Sequence, residues 1–399
     1  MAKRVEKRTS DIWDAAVIGG GVAGSVAAIH LGRANARVVL LEKENEPTHK
    51  VCGGFISADG VRILSECGID FDRLGAPKIK ALRFHGPLRS FESFLPFEGR
   101  VLSRVTLDHR LLEIALESGV DVRRGVFASE CHPELPFKIA TNKQEELVAK
   151  RLILATGKSE FRSVQQRQGR DEDHVAFSMF LRLIPSMIRR LSGHMDIFIF
   201  QNGFGSLSMI EGGEDACLSF SIKRSALKEI GTDWDSVASY IARNNWEASR
   251  YFDGAEPLLK HFVSIPRLPY GFIRRGRGIR GVFCVGDQMA VMPAPLGDGI
   301  SAAALTGVEA ASAIIGARRR GLRPPESSLA YEKETRRRLR RQLESVYRLH
   351  LLFKSPQVFD WTAYVMKSAP WIADLALHQL WGRAEWNLLS QSVVKRLPI

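Results

Sequence analysis

The 399-residue sequence is short of several features, and each shortage narrows its class. It holds five cysteines, Cys52, Cys67, Cys131, Cys217 and Cys284, with neither metal-ligand spacing nor the pattern of a disulfide-stapled small scaffold. No resident metal is expected. No uninterrupted apolar stretch reaches the roughly 20 residues of a bilayer crossing. The opening residues are basic and lack the apolar segment of a secretory leader, so residues 1–10 read as a basic tail on a cytoplasmic protein. A formal charge of +13 and a pI near 9.7 invite a nucleic-acid partner, but no nucleic-acid motif accompanies the charge and none is expected.

What is present begins with Asp14-Ala-Ala-Val-Ile-Gly-Gly-Gly-Val-Ala-Gly24. Ala15 to Ile18 form a short apolar run of the kind that makes a buried parallel strand, and the Ala-rich run from Val22 to Leu31 reads as a helix. Between them Gly19, Gly21 and Gly24 spell G-x-G-x-x-G. The first permits the tight turn, the second lets backbone approach a pyrophosphate, and the third lets helix and strand pack closely. A second strand, Arg37 to Leu41, ends in Glu42, placed to accept ribose hydroxyls, with Lys43 beside it. Strand, glycines, helix, strand and acid in register predict an adenine dinucleotide site.

A second landmark comes late. Gly281-Val-Phe-Cys-Val-Gly-Asp287 reads as another buried strand, followed by Met292-Pro-Ala-Pro-Leu-Gly-Asp-Gly-Ile-Ser301 and an apolar helix to about Ile315. Here the sequence resembles the FAD-dependent oxidoreductases that include geranylgeranyl reductases, aromatic-ring hydroxylases and flavin-dependent halogenases. The resemblance implies FAD, with Gly286 and Asp287 on the ribityl chain. It also implies a P-x-x-G-x-G-like loop against the flavin, matched by Pro295, Gly297, Asp298, Gly299 and Ile300. The proline is out of step, because Ala294 stands three residues before Gly297. Gly157, closing Arg151-Leu-Ile-Leu-Ala-Thr-Gly157, and Arg104, before an amphipathic helix, resemble further FAD contacts of the group.

Cys52 stands out among the thiols for its setting, His49-Lys-Val-Cys-Gly-Gly-Phe-Ile-Ser57. The resemblance is to the Lys-Pro-Cys-Gly-Gly segment of geranylgeranyl reductases, with Val51 in place of proline. It implies that Cys52 and Gly53 lie near the flavin. Cys52 and Tyr270, in Pro269-Tyr-Gly271, are the catalytic candidates, and no catalytic residue is assigned. Gly276-Arg-Gly-Ile-Arg-Gly281 repeats the glycine motif but leads into a strand, which excludes it as a nucleotide site. With no second nucleotide fold, electrons come from transiently docked NAD(P)H or a separate flavin reductase.

The fold class implied is α/β: a Rossmann-like FAD-binding domain with an inserted antiparallel-sheet substrate domain and a C-terminal helical region. The boundaries read as 11–165 for the first FAD segment, 166–265 for the substrate domain, 266–325 for the FAD return and 326–399 for the helical region. Strands are expected at His174–Leu183, Met195–Gln201, Ser206–Ile210 and Ala216–Ile222, with Phe198, Phe200, Phe204 and Met209 as candidate pocket walls. Long helices from Ser328 onward carry mixed basic and aromatic residues, which suit peripheral membrane contact.

The implied function is FAD-dependent oxidation in biosynthesis of a hydrophobic small molecule. Monooxygenation of an aromatic or polyketide-like substrate leads, and the Cys-Gly-Gly segment favours the alternative, reduction or dehydrogenation of carbon–carbon double bonds. Halogenation ranks lower because the W-x-W-x-I-P motif of many halogenases is missing. A non-catalytic FAD-binding redox partner is the remaining alternative.

Overall fold

The computed structural model describes residues 12–132, 134–161, 167, 173–275, 279–293, 299–353 and 355–381. The chain opens with β1 (Ile12–Trp13), β2 (Ala15–Ile18), α1 (Val22–Arg33) and β3 (Val38–Glu42). It continues through β4 (Phe55–Ile56), α2 (Ala58–Cys67), β5 (Lys78–His85), β6 (Ser90–Val101) and α3 (Arg104–Glu117). Then come β7 (Asp121–Arg124), β8 (Ala128–His132), β9 (Phe137–Thr141), β10 (Glu146–Ala149) and β11 (Leu152–Leu154). The middle of the chain supplies β12 (His174–Arg182), α4 (Pro185–Leu191), β13 (His194–Phe200), β14 (Gly203–Met209) and β15 (Asp215–Lys223). It adds α5 (Arg224–Ile230), α6 (Trp234–Asn244), α7 (Trp246–Phe252), β16 (Glu256–Pro257) and β17 (Val263–Ile265). The return is β18 (Val282–Cys284), α8 (Gly299–Arg320), α9 (Pro324–Leu352), α10 (Pro356–Ser368) and α11 (Pro370–Trp381).

The apolar runs of β2, β3, β11 and β18 are buried on both faces, as parallel strands are when helices or a second sheet cover them. They join β7 in a parallel five-stranded sheet, ordered β18-β11-β2-β3-β7. The strand order reverses at β2, so the crevice at its carboxyl end is where an α/β sheet of this kind binds ligand. One face packs on α1, α3 and α8. The other packs on a four-stranded sheet, β1-β10-β9-β8.

A nine-stranded, mainly antiparallel sheet forms the second body, ordered β16-β12-β15-β14-β13-β5-β6-β4 with β17 on β12. It is assembled from two separate stretches. β4, β5 and β6 come from residues 55–101, a part of the chain that the sequence assigned to the first FAD segment. A boundary at residue 166 therefore marks only the second half of the sheet, because β13 pairs in parallel with β5 across more than 100 residues of chain. β14 also starts at Gly203 rather than Ser206, directly after Asn202 turns at φ +62°.

Strand alternation gives this sheet two different faces. Val175, Phe177, Met179, Phe198, Phe200, Leu207, Met209 and Phe220 point toward α4–α7 and form one core. Phe198, Phe200 and Met209 are thus sheet core on the far side from the nucleotide fold, not walls of a shared pocket. Of the four residues expected there, Phe204 alone faces the other way. On that face α9, α10 and α11 close over β5, β6 and β13, with Phe353, Phe359, Ala363 and Leu377 packed against Phe84, Leu95 and Ile197.

Candidate FAD and substrate site

The loop after β2 is built by its glycines. Gly19 has φ +106°, and a Cβ there would run into the carbonyl oxygen of Ala155. A Cβ on Gly24 would strike the Gly19 carbonyl and press on Val17 at 3.1 Å. Gly21 is different: a Cβ there would meet only Arg104 Nη2, at 3.4 Å, so among the described residues its backbone lies open. It is also the N-cap of α1, with no side-chain cap and no acid in the first turn. Uncapped N–H groups and the positive helix end therefore face the crevice, the arrangement that binds a pyrophosphate.

Glu42 closes the adenosine end. Its Oε2 accepts from Gly20 N at 2.7 Å and its Oε1 from Glu44 N at 3.1 Å, which fixes the carboxylate while leaving lone pairs for a ribose. A narrow cleft continues past Glu42 between Lys50, Asp108 and Arg124. Lys43 does not join it. Its ammonium pairs with Glu44 at 3.2 Å, its side chain is 63% exposed, and it lines neither this cleft nor the main cavity.

Arg104, the first residue of α3, points to Gly21 and lines the main cavity. It donates Nε to Asp108 Oδ1 at 2.9 Å and Nη2 to Oδ2 at 2.8 Å, while Lys50 Nζ reaches Oδ2 at 2.6 Å. Two cations on one carboxylate leave a net positive charge beside the phosphate cradle. Burial pulls the Arg104 pKa down, but the Asp108 carboxylate outweighs it and holds the guanidinium firmly charged.

The main cavity, about 200 Å³, runs from this cradle to the nine-stranded sheet. Gly157, Gly286, Asp287, Gly299 and Ile300 all line it, so the late Gly-Asp strand end and the start of α8 meet the N-terminal fingerprint as expected. A Cβ on Gly299 would meet nothing within 4 Å, and the first turn of α8 carries no acid, so a second helix N-terminus opens into the same space. Pro295, Gly297 and Asp298 lie outside the described residues. Asp287 faces Lys158, whose Nζ is 3.1 Å from Oδ2. The glycine openings, the uncapped end of α1, the start of α8, the excess cationic charge and the Glu42 and Asp287 carboxylates fit FAD from adenosine to flavin.

Two residues that the sequence reading missed hold the site together. Arg167 is fully buried and donates to the carbonyls of Gly157 at 2.8 Å, Lys158 at 2.6 Å and Asp287 at 2.9 Å. Gln288 Nε2 donates to Thr156 Oγ1 at 2.8 Å, Gly157 O at 3.0 Å and Ser159 O at 2.8 Å. Together they tie the ends of β11 and β18 to one another. Gln288 follows the Gly-Asp pair directly, which was the one local signal available.

Cys52, Gly53 and Gly54 line the cavity where the two bodies meet. The Cys52 amide donates to Ser178 Oγ at 3.1 Å, its carbonyl accepts from Cys217 Sγ at 3.4 Å, and Ser208 Oγ donates to Gly53 O at 3.2 Å. Gly54 has φ +76°, and its N–H donates to Cys52 Sγ at 3.4 Å. All five cysteines are free thiols, and burial pushes the Cys217 pKa well up. Beyond this turn the cavity is lined by the apolar Met195, Phe204, Leu268, Tyr270 and Val291 and by Ser206, Ser219 and Ser221, with Phe204 paired across β14–β15 with Ser221. Tyr270 is buried, at 2% exposure. The two catalytic candidates, Cys52 and Tyr270, thus line one cavity.

Residues 13–179 match the pyridine nucleotide-disulphide oxidoreductase family. Digeranylgeranylglycerophospholipid reductase 2 of Methanothermobacter thermautotrophicus is 36% identical over 118 residues, spanning 28% of this chain and 29% of that protein. The flavin-dependent brominase Bmp2 superposes with a TM-score of 0.74 at 18% identity, over 96% of this chain and 99% of its own. PqsL, a probable FAD-dependent monooxygenase from Pseudomonas aeruginosa, gives 0.71 at 18% identity, over 88% and 99%. Fold and site together are those of the FAD-dependent oxidoreductases. Within that class the chain is similar in sequence to a geranylgeranyl-lipid reductase over part of its length, and in fold to a flavin-dependent brominase and a monooxygenase. The chain spans under a third of the curated reductase, and the likeness to solved structures lies in the fold.

Proposed function

We propose that this oxidoreductase is a monooxygenase of a hydrophobic ring substrate that carries oxygen substituents, aromatic or polyketide-like. The observation that carries the reading is the mixed lining of the cavity beyond Cys52. Met195, Phe204, Leu268, Tyr270 and Val291 exclude water from a bound ring. Ser206, whose hydroxyl has no protein partner among the described residues, shares the sheet face of Phe204 with Ser219 and Ser221, whose hydroxyls bond to Ser178 and His174. A plain hydrocarbon would leave the Ser206 hydroxyl unmatched, which costs on the order of 1–3 kcal/mol where the group is cut off from water. An oxygenated ring satisfies it and is oriented by it. FAD, when bound, supplies the redox chemistry at its isoalloxazine. The chain's own part is to position and dehydrate, with NAD(P)H or a separate flavin reductase as the electron source.

Reduction of a carbon–carbon double bond is the second reading, favoured by the Cys52 thiol in the cavity and by the curated reductase relative. There Cys52 or Tyr270 would hold the proton delivered to the substrate. The readings separate in one experiment: anaerobic reduction of the FAD-loaded protein, then rapid mixing with O2 while flavin absorbance is followed. Monooxygenation expects a resolved intermediate phase, prolonged by an aromatic ligand and unchanged in Cys52→Ser. Single-phase reoxidation, with prenyl double-bond reduction that slows in Cys52→Ser, would overturn it in favour of the reductase.

A further inference from the structure

The helices α10 and α11 present an outer face with several exposed aromatic side chains. Trp361 is 69% exposed and Tyr364 54% on α10, and Trp371 is 66% exposed on α11. Leu88, at 80%, stands beside them at the β5–β6 turn, whose amides at Leu88 and Arg89 donate to Asp360 Oδ1 at 3.2 and 3.0 Å. Arg89 lies over the Tyr364 ring at 4.7 Å, and Lys367 is exposed at the end of α10. The span 356–381 contains only two carboxylates, Asp360 and Asp374. Both turn to the β5–β6 hairpin, Asp374 accepting from Ser93 Oγ at 2.7 Å. Among its described residues the span 356–381 therefore combines exposed tryptophan and tyrosine with cations and has no fully exposed acid.

We propose that this face docks on the surface of an anionic phospholipid bilayer. Amphipathic Trp and Tyr rings suit the boundary between headgroups and acyl chains, and Arg89 and Lys367 complement anionic headgroups. A second copy of the chain is a poorer occupant, since it would set the same two cations against each other. The following residues 382–399 are poorer as well: Arg383, Lys395 and Arg396 against Glu385 give them the same sign as the face. The inner side of α10 ties the docked face to the cavity. Phe359 lies 5.7 Å from Phe353, which lies 6.3 Å from the cavity residue Phe204. The cavity wall is thus two ring-to-ring steps and one helix diameter, about 20 Å at most, from the bilayer, a short path for a hydrophobic substrate. The docking holds for oxygenation and for reduction alike.

The test is sedimentation of the full-length FAD-loaded protein with phosphatidylserine–phosphatidylcholine vesicles, with phosphatidylcholine vesicles for comparison. Binding to the anionic vesicles alone is expected, weakening with salt and accompanied by a blue shift of tryptophan emission. Trp361→Ser with Trp371→Ser should lower the partition coefficient at least about tenfold while FAD stays bound. Should that variant lose its FAD, Arg89→Gln with Lys367→Gln serves instead and should flatten the salt dependence. Absence of vesicle binding by the wild type, or binding unchanged in these variants, overturns the proposal. So does binding seen only after removal of residues 382–399, or a dimer that the tryptophan substitutions abolish. None of these outcomes bears on the flavin reaction.

Discussion

Asp287 shows how much one side chain in this protein depends on chain far from it. It leaves the end of β18, its carbonyl is held by Arg167, and its carboxylate faces Lys158 beyond β11. If it holds the ribityl chain of FAD, Asp287→Ala removes hydrogen bonds to a charged acceptor, about 1.5–3 kcal/mol in all. The dissociation constant for FAD, titrated by flavin fluorescence on apoprotein, should rise about tenfold to a hundredfold. An unchanged constant would remove Asp287 from the site. The turn at Gly19, Gly21 and Gly24 and the place of Glu42 at the end of β3 were legible in the sequence because they are set by backbone conformation over a few consecutive residues. Lys43 could not, because which way a side chain leaves a strand end depends on a neighbour, here Glu44. Arg167 escaped notice for the same kind of reason. Its three acceptors are carbonyls of residues up to 120 positions away, and a carbonyl leaves no mark in a sequence.

Among the helices, α1 and α8 form the pair on which the cofactor cradle rests. α8 is long and apolar enough to cross a membrane, yet 78% of its apolar window is buried, so its composition reflects a core position. The sequence reading, limited to uninterrupted apolar runs, passed over it because Glu309 sits within it. Glu309 is satisfied by Thr335 Oγ1 at 2.6 Å and Arg338 Nη1 at 2.7 Å from α9. Gly307 brings the two helices together, since a Cβ there would meet the backbone of Ala23 and Ala27. Near the end of α1, His30 lies 3.7 Å from Cys67 Sγ of α2, and burial, aided by the Arg33 charge, pushes its pKa from 6.5 down to about 4. Between those two values the unfolded chain binds a proton that the fold refuses. Stability should therefore be highest above pH 6.5, fall by about 3 kcal/mol in total as pH drops to 4, and level off below. Urea unfolding at a series of pH values checks this, and His30→Gln should flatten the slope in that window. A slope unaltered by the substitution would place its origin elsewhere.

The molecule as a whole sets a nine-stranded sheet beside the nucleotide-binding body, and the seam between them is where the candidate site lies. Periodicity was sufficient to find core strands of both, yet it could not show that β5, with β6 beside it, leaves the nucleotide fold to pair with β13. Sheet membership is a property of partners, and those partners are 100 residues away. Among the described residues, two sets of hydrogen bonds fasten this seam. One is the Cys52–Gly54 turn, bonded to Ser178, Ser208 and Cys217 of the second sheet. The other is Glu211, just past β14, which accepts from Ser103 N at 2.8 Å and from the hydroxyls of Ser103 and Thr106. These groups form the N-terminus of α3, whose first residue, Arg104, stands over Gly21. A carboxylate there also favours the positive end of the helix. Glu211→Ala strips that end of its acceptor and should cost about 1–2 kcal/mol of stability. Because the lost contact links the bodies, the loss should not stay local. Amide exchange should quicken at Ser103–Leu107, and FAD affinity should fall as Arg104 loses its fixed position, with Glu211→Gln restoring part of both. If exchange quickens in α3 while FAD affinity holds, the seam and the cradle are independent, and Arg104 is positioned by Asp108 alone.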